Sequence, residues 1–176
     1  MQRILITGAN GSGKSRLARL IKAERPDLPL HAYDAIRLTR NWVKRPTPDI
    51  DAALAEILQS DRWILEGGPS LLKPAMGRAD VIIWLDPPEL TRAWRLLQRP
   101  LRHIGQTRPE LPKGNQDWPL AQYRFAFQSL RKGQWFRRTV RATLSAANHP
   151  AVWHCRSNSD VGLAIENVRA SAPSPE

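Results

Sequence analysis

Residues 3–15 read RILITGANGSGKS, and this stretch decides the fold. Arg3 to Thr7 is a short run rich in β-branched and aliphatic residues, as a buried strand requires. Gly8, Ala9, Asn10, Gly11, Ser12 and Gly13 then form a glycine loop that runs into Lys14 and Ser15. The spacing satisfies G-x-x-x-x-G-K-[ST], with a strand before it and a helix after it. Glycine permits backbone angles that turn successive N–H groups inward, making a nest for a phosphate. The start of the following helix adds its positive end to the same point. Lys14 can bridge β- and γ-phosphate oxygens, and the Ser15 hydroxyl can ligate Mg²⁺. The loop therefore predicts a site for a nucleoside triphosphate with Mg²⁺, and ATP is the default because no guanine-reading N-K-x-D is present.

The rest of the chain continues this alternation. Residues 14–24 place Leu17, Ala18, Leu20 and Ile21 at helical spacing. A second strand is expected at 31–33, ending at Asp34, and a helix over 49–60 capped by Asp49 or Asp51. Residues 62–65 predict a third strand, closed by Glu66-Gly67-Gly68-Pro69, and ADVIIWL at 79–85 a fourth, closed by Asp86-Pro87-Pro88. A helix over 89–98 leads to a Pro-, Gly- and Arg-rich segment, 99–119, which reads as a lid-like insertion. A helical region over 120–147, broken near Gly133, precedes a last strand at 151–155 and a helix at 160–170. Strands alternating with helices predict an α/β fold, a parallel sheet covered on both faces. Residues 1–170 form one domain in this reading, and 171–176 a frayed tail.

Ligands of such sheets bind beyond the carboxyl ends of the strands. The loops there carry Lys14, Asp34, Glu66, Asp86 and Arg156. Glu66 is the candidate carboxylate for Mg²⁺ beside Ser15. Asp34 is placed for an acceptor substrate, as a base near its hydroxyl. Asp86 serves equally well as a turn residue before two prolines. Arg92, Arg95, Arg99 and Arg102 share one helical face, and Arg95 and Arg99 are the favoured cations over the transferred phosphate. Arg108, Arg137 and Arg138 are further candidates.

Composition narrows the classes. The chain has 176 residues and a net charge of +11. Of that excess, residues 87–145 carry +9, from 12 basic and 3 acidic side chains. A concentrated block of this kind fits an anion: nucleotide phosphates, a phosphorylated substrate, or the backbone of a nucleic acid. No helix-turn-helix, zinc finger or other reader motif accompanies it. The single cysteine, Cys155, excludes an internal disulfide and reads as a small buried hydrophobe. The four histidines lack metal-ligand spacing. Neither a secretory leader nor a membrane-length apolar run is visible, so a cytoplasmic location is expected. Seven tryptophans are many for this length and predict core or groove walls.

Several blocks together carry a resemblance: MQRILITGANGSGKSRLARLI, HAYDAIR, DRWILEGGPS, ADVIIWLDPPELTRAWRLLQRPLRHIGQTRPELP and WFRR. Over roughly residues 1–157 the chain resembles the bacterial family labelled DNA topology modulation protein, which is itself similar to adenylate and shikimate kinases. The resemblance implies a P-loop NTPase of three α/β/α layers, nucleoside-monophosphate-kinase-like. Its five-stranded parallel sheet would have the order 2-3-1-4-5, with a lid after strand four. It implies a kinase acting on a small-molecule or nucleotide acceptor, or a nucleotide-dependent DNA-binding protein. Related nucleotide kinases carry Asp-Gly after strand three, where Glu66-Gly67 stands here. Adenylate kinases follow that pair with Phe-Pro-Arg, whose arginine grips the acceptor phosphate; Gly68-Pro69-Ser70 lacks it, a departure that argues against ordinary AMP kinase activity. The resemblance also places Asp34 at an acceptor-binding position and supports Arg95 and Arg99 as lid-flanking arginines.

Overall fold

Near-continuous apolar runs in the first and fourth strands set the architecture. In the computed structural model, which describes residues 1–102, 111–112, 114–115, 118–146 and 151–172, β1 (Arg3–Gly8) lies at the centre of a five-stranded sheet. It pairs in parallel with β3 (Trp63–Gly67) on one side and β4 (Val81–Leu85) on the other. The edges are β2 (Leu30–Ala32), on β3, and β5 (Ala151–Cys155), on β4, both parallel. The order is therefore β2-β3-β1-β4-β5, as the resemblance implied.

Side chains alternate across the pleat, so each strand feeds two cores. Ile4, Ile6, Ile64, Val81 and Ile83 face α1 (Lys14–Glu24) and α8 (Asn158–Ala170), meeting Leu17, Ile21, Ala164 and Val168. Leu5, Trp63, Leu65, Ile82 and Trp84 face the opposite layer. There they meet Leu54 of α3 (Thr47–Gln59), Leu72 of α4 (Leu72–Ala75), and Val140 and Leu144 of α7 (Gly133–Ser145). Helices thus cover both faces of the sheet, and the result is a three-layer α/β/α fold.

Several expected boundaries move. β2 ends at Ala32, and Tyr33 opens a short helix, α2 (Tyr33–Arg37), with Asp34 in its first turn. The strand is a three-residue edge, too short to reach Asp34. α3 begins at Thr47, not behind a cap at Asp49 or Asp51. Pro48 in its first turn supplies a backbone angle already suited to a helix, and Asp49 then sits favourably against the positive end. β3 extends through Glu66 and Gly67, which places the carboxylate on the strand itself.

α5 (Glu89–Arg102) outruns its expected end and passes through Pro100. A proline so close to the last turn removes one donor and leaves the earlier turns intact. Helical structure resumes with α6 (Pro119–Arg131), which Lys132 separates from α7. The expected lid lies largely in residues 103–110, with Arg108, outside the described residues, as do positions 173–176 of the expected tail. α8 starts two residues early because Ser157 and Asp160 form a reciprocal capping box. Among the described residues no helix is long and apolar enough to cross a membrane.

Cys155 is buried at the end of β5, within the α1/α8 core. Burial, reinforced by the charge of Asp160, pushes its thiol up to about 11. Native protein should therefore resist alkylation at mildly alkaline pH, whereas unfolded protein reacts. Between the ordinary thiol value and about 11 the thiol stays protonated in the folded state and ionises in the unfolded one. Its contribution is full below the ordinary thiol value and is lost as the pH climbs to about 11. Melting curves over this alkaline range should fall more steeply for the native chain than for Cys155→Ala.

Candidate functional site

The loop between β1 and α1 has little freedom to be anything but glycine-rich. Gly11 and Gly13 lie in the left-handed region, at φ +79° and +103°. A Cβ on Gly8 would stand 2.6 Å from the Leu85 carbonyl oxygen, and one on Gly11 would stand 2.8 Å from Leu96. Gly13 is the residue before α1, and no side chain caps that helix. Its first amides are therefore left to an anion. Lys14 Nζ donates to the Ala9 carbonyl at 3.3 Å, so the ammonium folds back over the loop. Burial pushes the Lys14 ammonium below its ordinary value, while Glu66 and Asp34 hold it up against Arg99 and Arg92.

Ser15 Oγ donates to Glu66 Oε1 at 3.0 Å. Glu66 is buried on β3, in register with Ile6 of the central strand. This hydroxyl–carboxylate pair at the mouth of the loop is an all-oxygen donor set of the kind Mg²⁺ takes. Among the described residues no group of three or more His, Cys, Asp or Glu side chains could hold a metal unaided. The remaining ligands would have to be phosphate oxygens and water, the usual arrangement for Mg²⁺ with a nucleotide. The residues therefore fit both groups: the amides, with Lys14, the phosphates of ATP, and Ser15 with Glu66 the cation.

The four arginines of α5 divide. Arg92 is 1% exposed and donates through Nε to the Asn10 carbonyl at 3.2 Å. Its Nη1 pairs with Glu89 at 2.7 Å. Arg95 Nη1 donates to the Ser12 carbonyl at 2.8 Å. Both grip the outward-facing carbonyls of the glycine loop from behind, and neither lines the cleft in front of it. Arg99 does line it, held by a hydrogen bond to Gln122 Oε1 and seated 5.6 Å above the Phe125 ring. The Arg102 side chain lies outside the described residues. Arg137 does not face the loop: it pairs with Asp86 and Glu89. Asp86 also contacts His154, whose ring stacks on Trp84 at 4.0 Å, so this carboxylate is absorbed in a packed network. Among the described side chains of the basic block, Arg92, Arg95, Arg99 and Arg137 are thus engaged within the molecule, while Arg124, Arg131, Lys132, Arg138 and Arg141 are exposed.

In front of the loop lies a cleft of about 1130 Å³. A single small-molecule site usually occupies ~300–1,000 Å³, so there is room for two ligands side by side. Residues 8–11, Gly13, Lys14, Ser15 and Glu66 form one wall. Asp34, exposed and 3.7 Å from Arg37, lies on another, with Gly67, Gly68 and Ser70 between. The structure thus brings together Lys14, Ser15, Glu66, Asp34 and Arg99, and sets Arg95 behind. Sequence reading missed Trp42, Lys73 and Gln122, which also line the cleft. The surplus of tryptophans was the one signal for the first; nothing local marked the other two.

No protein-family model matches the chain, and no curated protein matches it in sequence. Solved structures do. An unliganded sugar kinase from Janibacter sp. is similar with a TM-score of 0.54 and 15% identity, over 97% of this chain and 93% of that one. Shikimate kinase from Bacteroides thetaiotaomicron gives 0.52 and 18%, over 96% and 97%. Shikimate kinase from Acinetobacter baumannii, in complex with shikimate, gives 0.51 and 15%, over 97% and 92%. At such identities the likeness is one of fold, and the fold is that of the P-loop kinases.

The two gripping arginines should separate in experiment. Arg95→Ala is expected to weaken Mg·ATP binding about tenfold with little change in melting temperature, through loss of one charge-assisted bond to the loop. Arg92→Ala should lower the unfolding free energy by about 2 kcal/mol, since its bonds lie in the interior. Calorimetric titration and thermal melting measure the two effects.

Proposed function

We propose that this chain is a small-molecule kinase that moves the γ-phosphate of ATP to an acceptor hydroxyl held on the Asp34 side of the cleft. The observation that carries the reading is the meeting of Lys14, the Ser15–Glu66 pair and Asp34 in one cleft large enough for donor and acceptor together. Structural kinship with kinases supports the reaction class, and the acceptor has to come from the site.

The amides of residues 11–15 and the Lys14 ammonium hold the β- and γ-phosphates. Mg²⁺ on Ser15 and Glu66 would neutralise charge on those phosphates. Asp34 accepts the proton of the acceptor hydroxyl as its oxygen forms the new P–O bond. The bond between the γ-phosphorus and the β–γ bridging oxygen breaks in line, and ADP carries the electron pair away. Arg99, fixed by Gln122 across the cleft, is placed for negative charge on the transferred group. Arg95 keeps the loop in shape from behind. Closure over both ligands would exclude water as a competing acceptor.

Incubation with Mg·ATP and a metabolite mixture should yield at least one new phosphorylated mass. Lys14→Ala should abolish it. Asp34→Asn should lower kcat about 100-fold and leave Mg·ATP affinity intact. Undiminished phosphoryl transfer by Lys14→Ala would defeat the reading.

A further inference from the structure

The cleft has two kinds of wall. The glycine loop and the Ser15–Glu66 pair make a polar one. Where α6 and α7 face the cleft, Trp118, Ala121, Phe125, Trp135 and Phe136 present mostly carbon. Thr139 lines it as well, but its hydroxyl donates to the Trp135 carbonyl at 3.0 Å and is spent on the helix. The side-chain carbonyl of Gln122 is likewise taken by Arg99. A polyol needs a hydrogen-bond partner for each hydroxyl it buries, and this wall has few to give.

Trp118 is 59% exposed and Trp135 62%. Single exposed apolar side chains are ordinary, but several gathered in one cleft mark a binding groove. Trp135 is also firmly mounted, between two anchored residues. Gly133 is buried, and a Cβ there would lie 2.7 Å from Arg92 Nη1. Arg137 donates to Asp86 and pairs with Glu89 at 2.9 Å. The first turn of α7 is thus fixed, and with it the backbone that carries the indole. A ring held out to water on a fixed backbone is pre-organised for a ligand.

This wall belongs to the acceptor side. α7 packs on the turn Pro69–Leu71 and on α4, directly after Gly67 and Gly68. Phe136 joins the same core as Leu71 and Leu72, together with Tyr33 and Ile36 of α2, the helix that carries Asp34. Arg37 of that helix is engaged by Asp34 at 3.7 Å and lies over the Tyr33 ring. Lys73 and Lys132 line the cleft too, both exposed, so an apolar ligand has to be set against phosphorylated ones in experiment.

Resting on the kinase reading, we propose that the acceptor is an apolar alcohol: a hydroxyl carried on an aromatic ring system that bears no phosphate. The ring lies against Trp135 and Phe136, and the hydroxyl reaches Asp34. The hydroxyl oxygen bonds to the γ-phosphorus, Asp34 takes its proton, and ADP leaves with the β–γ bridging oxygen. The product is a phosphate monoester of the apolar alcohol.

The test is calorimetric titration of the full chain in Mg·ADP with naphthylethanol, glucose and AMP. Naphthylethanol should bind about tenfold tighter than either of the others, the increment of one aromatic contact. With Mg·ATP in place of Mg·ADP it should yield its phosphate ester by mass. Trp135→Ala should lose the increment, and in turnover the loss should fall on KM rather than kcat. Trp135→Phe should keep most of it. Both variants should melt near the native temperature, because the side chain is largely exposed, and Mg·ADP affinity should not move. Glucose or AMP binding as tightly as naphthylethanol overturns the proposal, as does equal affinity of the Ala and Phe variants. Weakened Mg·ADP binding by Trp135→Ala also overturns it, since the indole would then serve the donor. Failure of the native chain to bind Mg·ADP at all defeats instead the kinase reading beneath it.

Discussion

The structure depends on keeping one helix end open. Seven residues separate the last inward-facing side chain of β1, Ile6, from Lys14, and two of them must hold left-handed angles for their amides to converge. Such a loop has no apolar payload of its own and would collapse or fray if left alone. β1 is therefore central, paired on both sides, and its start and end are fixed by backbone bonds. α5 is packed against the other side of the loop, closely enough that Gly11 has no room for a methyl against Leu96. Arg92 and Arg95 satisfy the carbonyls that the loop turns outward while its N–H groups turn inward. The two sets of groups point opposite ways because the same peptide units carry both.

An anion site built this way stores electrostatic cost. The Lys14 ammonium is driven down first by burial, with Arg99 and Arg92 adding like charge. Glu66 and Asp34 offset this. In the proposed kinase reading, the same negative charges that steady the lysine are the ones assigned to the cation and the acceptor. A bound phosphate relieves the lysine directly, since each added negative charge favours its protonated form. Glu66 can then turn toward the cation without leaving a buried ammonium unbalanced.

The sheet and the glycine loop were legible because both follow local rules. A two-residue pleat and a glycine motif with fixed spacing need no knowledge of distant contacts. Order within the sheet came from resemblance, since periodicity says nothing about which strands are neighbours. Boundaries slipped where a proline or a cap competed with apolar spacing, as at Pro48, Pro100 and Ser157. Arg92, Arg95 and Arg99 look equivalent on a helical wheel. Only the packing of α5 against the loop and α6 shows that two of them hold backbone and one faces the cleft. Trp42 could not be assigned a wall because its orientation is set by Asn115, more than seventy residues away in sequence.

The same contacts bear on what a basic composition means. The +9 block of residues 87–145 invites a polyanion, because a count of charges treats every arginine as available. Arg92 and Arg137 share Glu89, Arg137 also holds Asp86, Arg95 is spent on a carbonyl, and Arg99 is tied to Gln122. Guanidinium suits these positions because its planar fork can satisfy carbonyls and carboxylates at once while staying charged. A nucleic acid backbone needs a stripe of outward cations to displace its counterions. The described arginines of α5 form no such stripe: Arg92 and Arg95 hold loop carbonyls, and Arg99 faces the cleft.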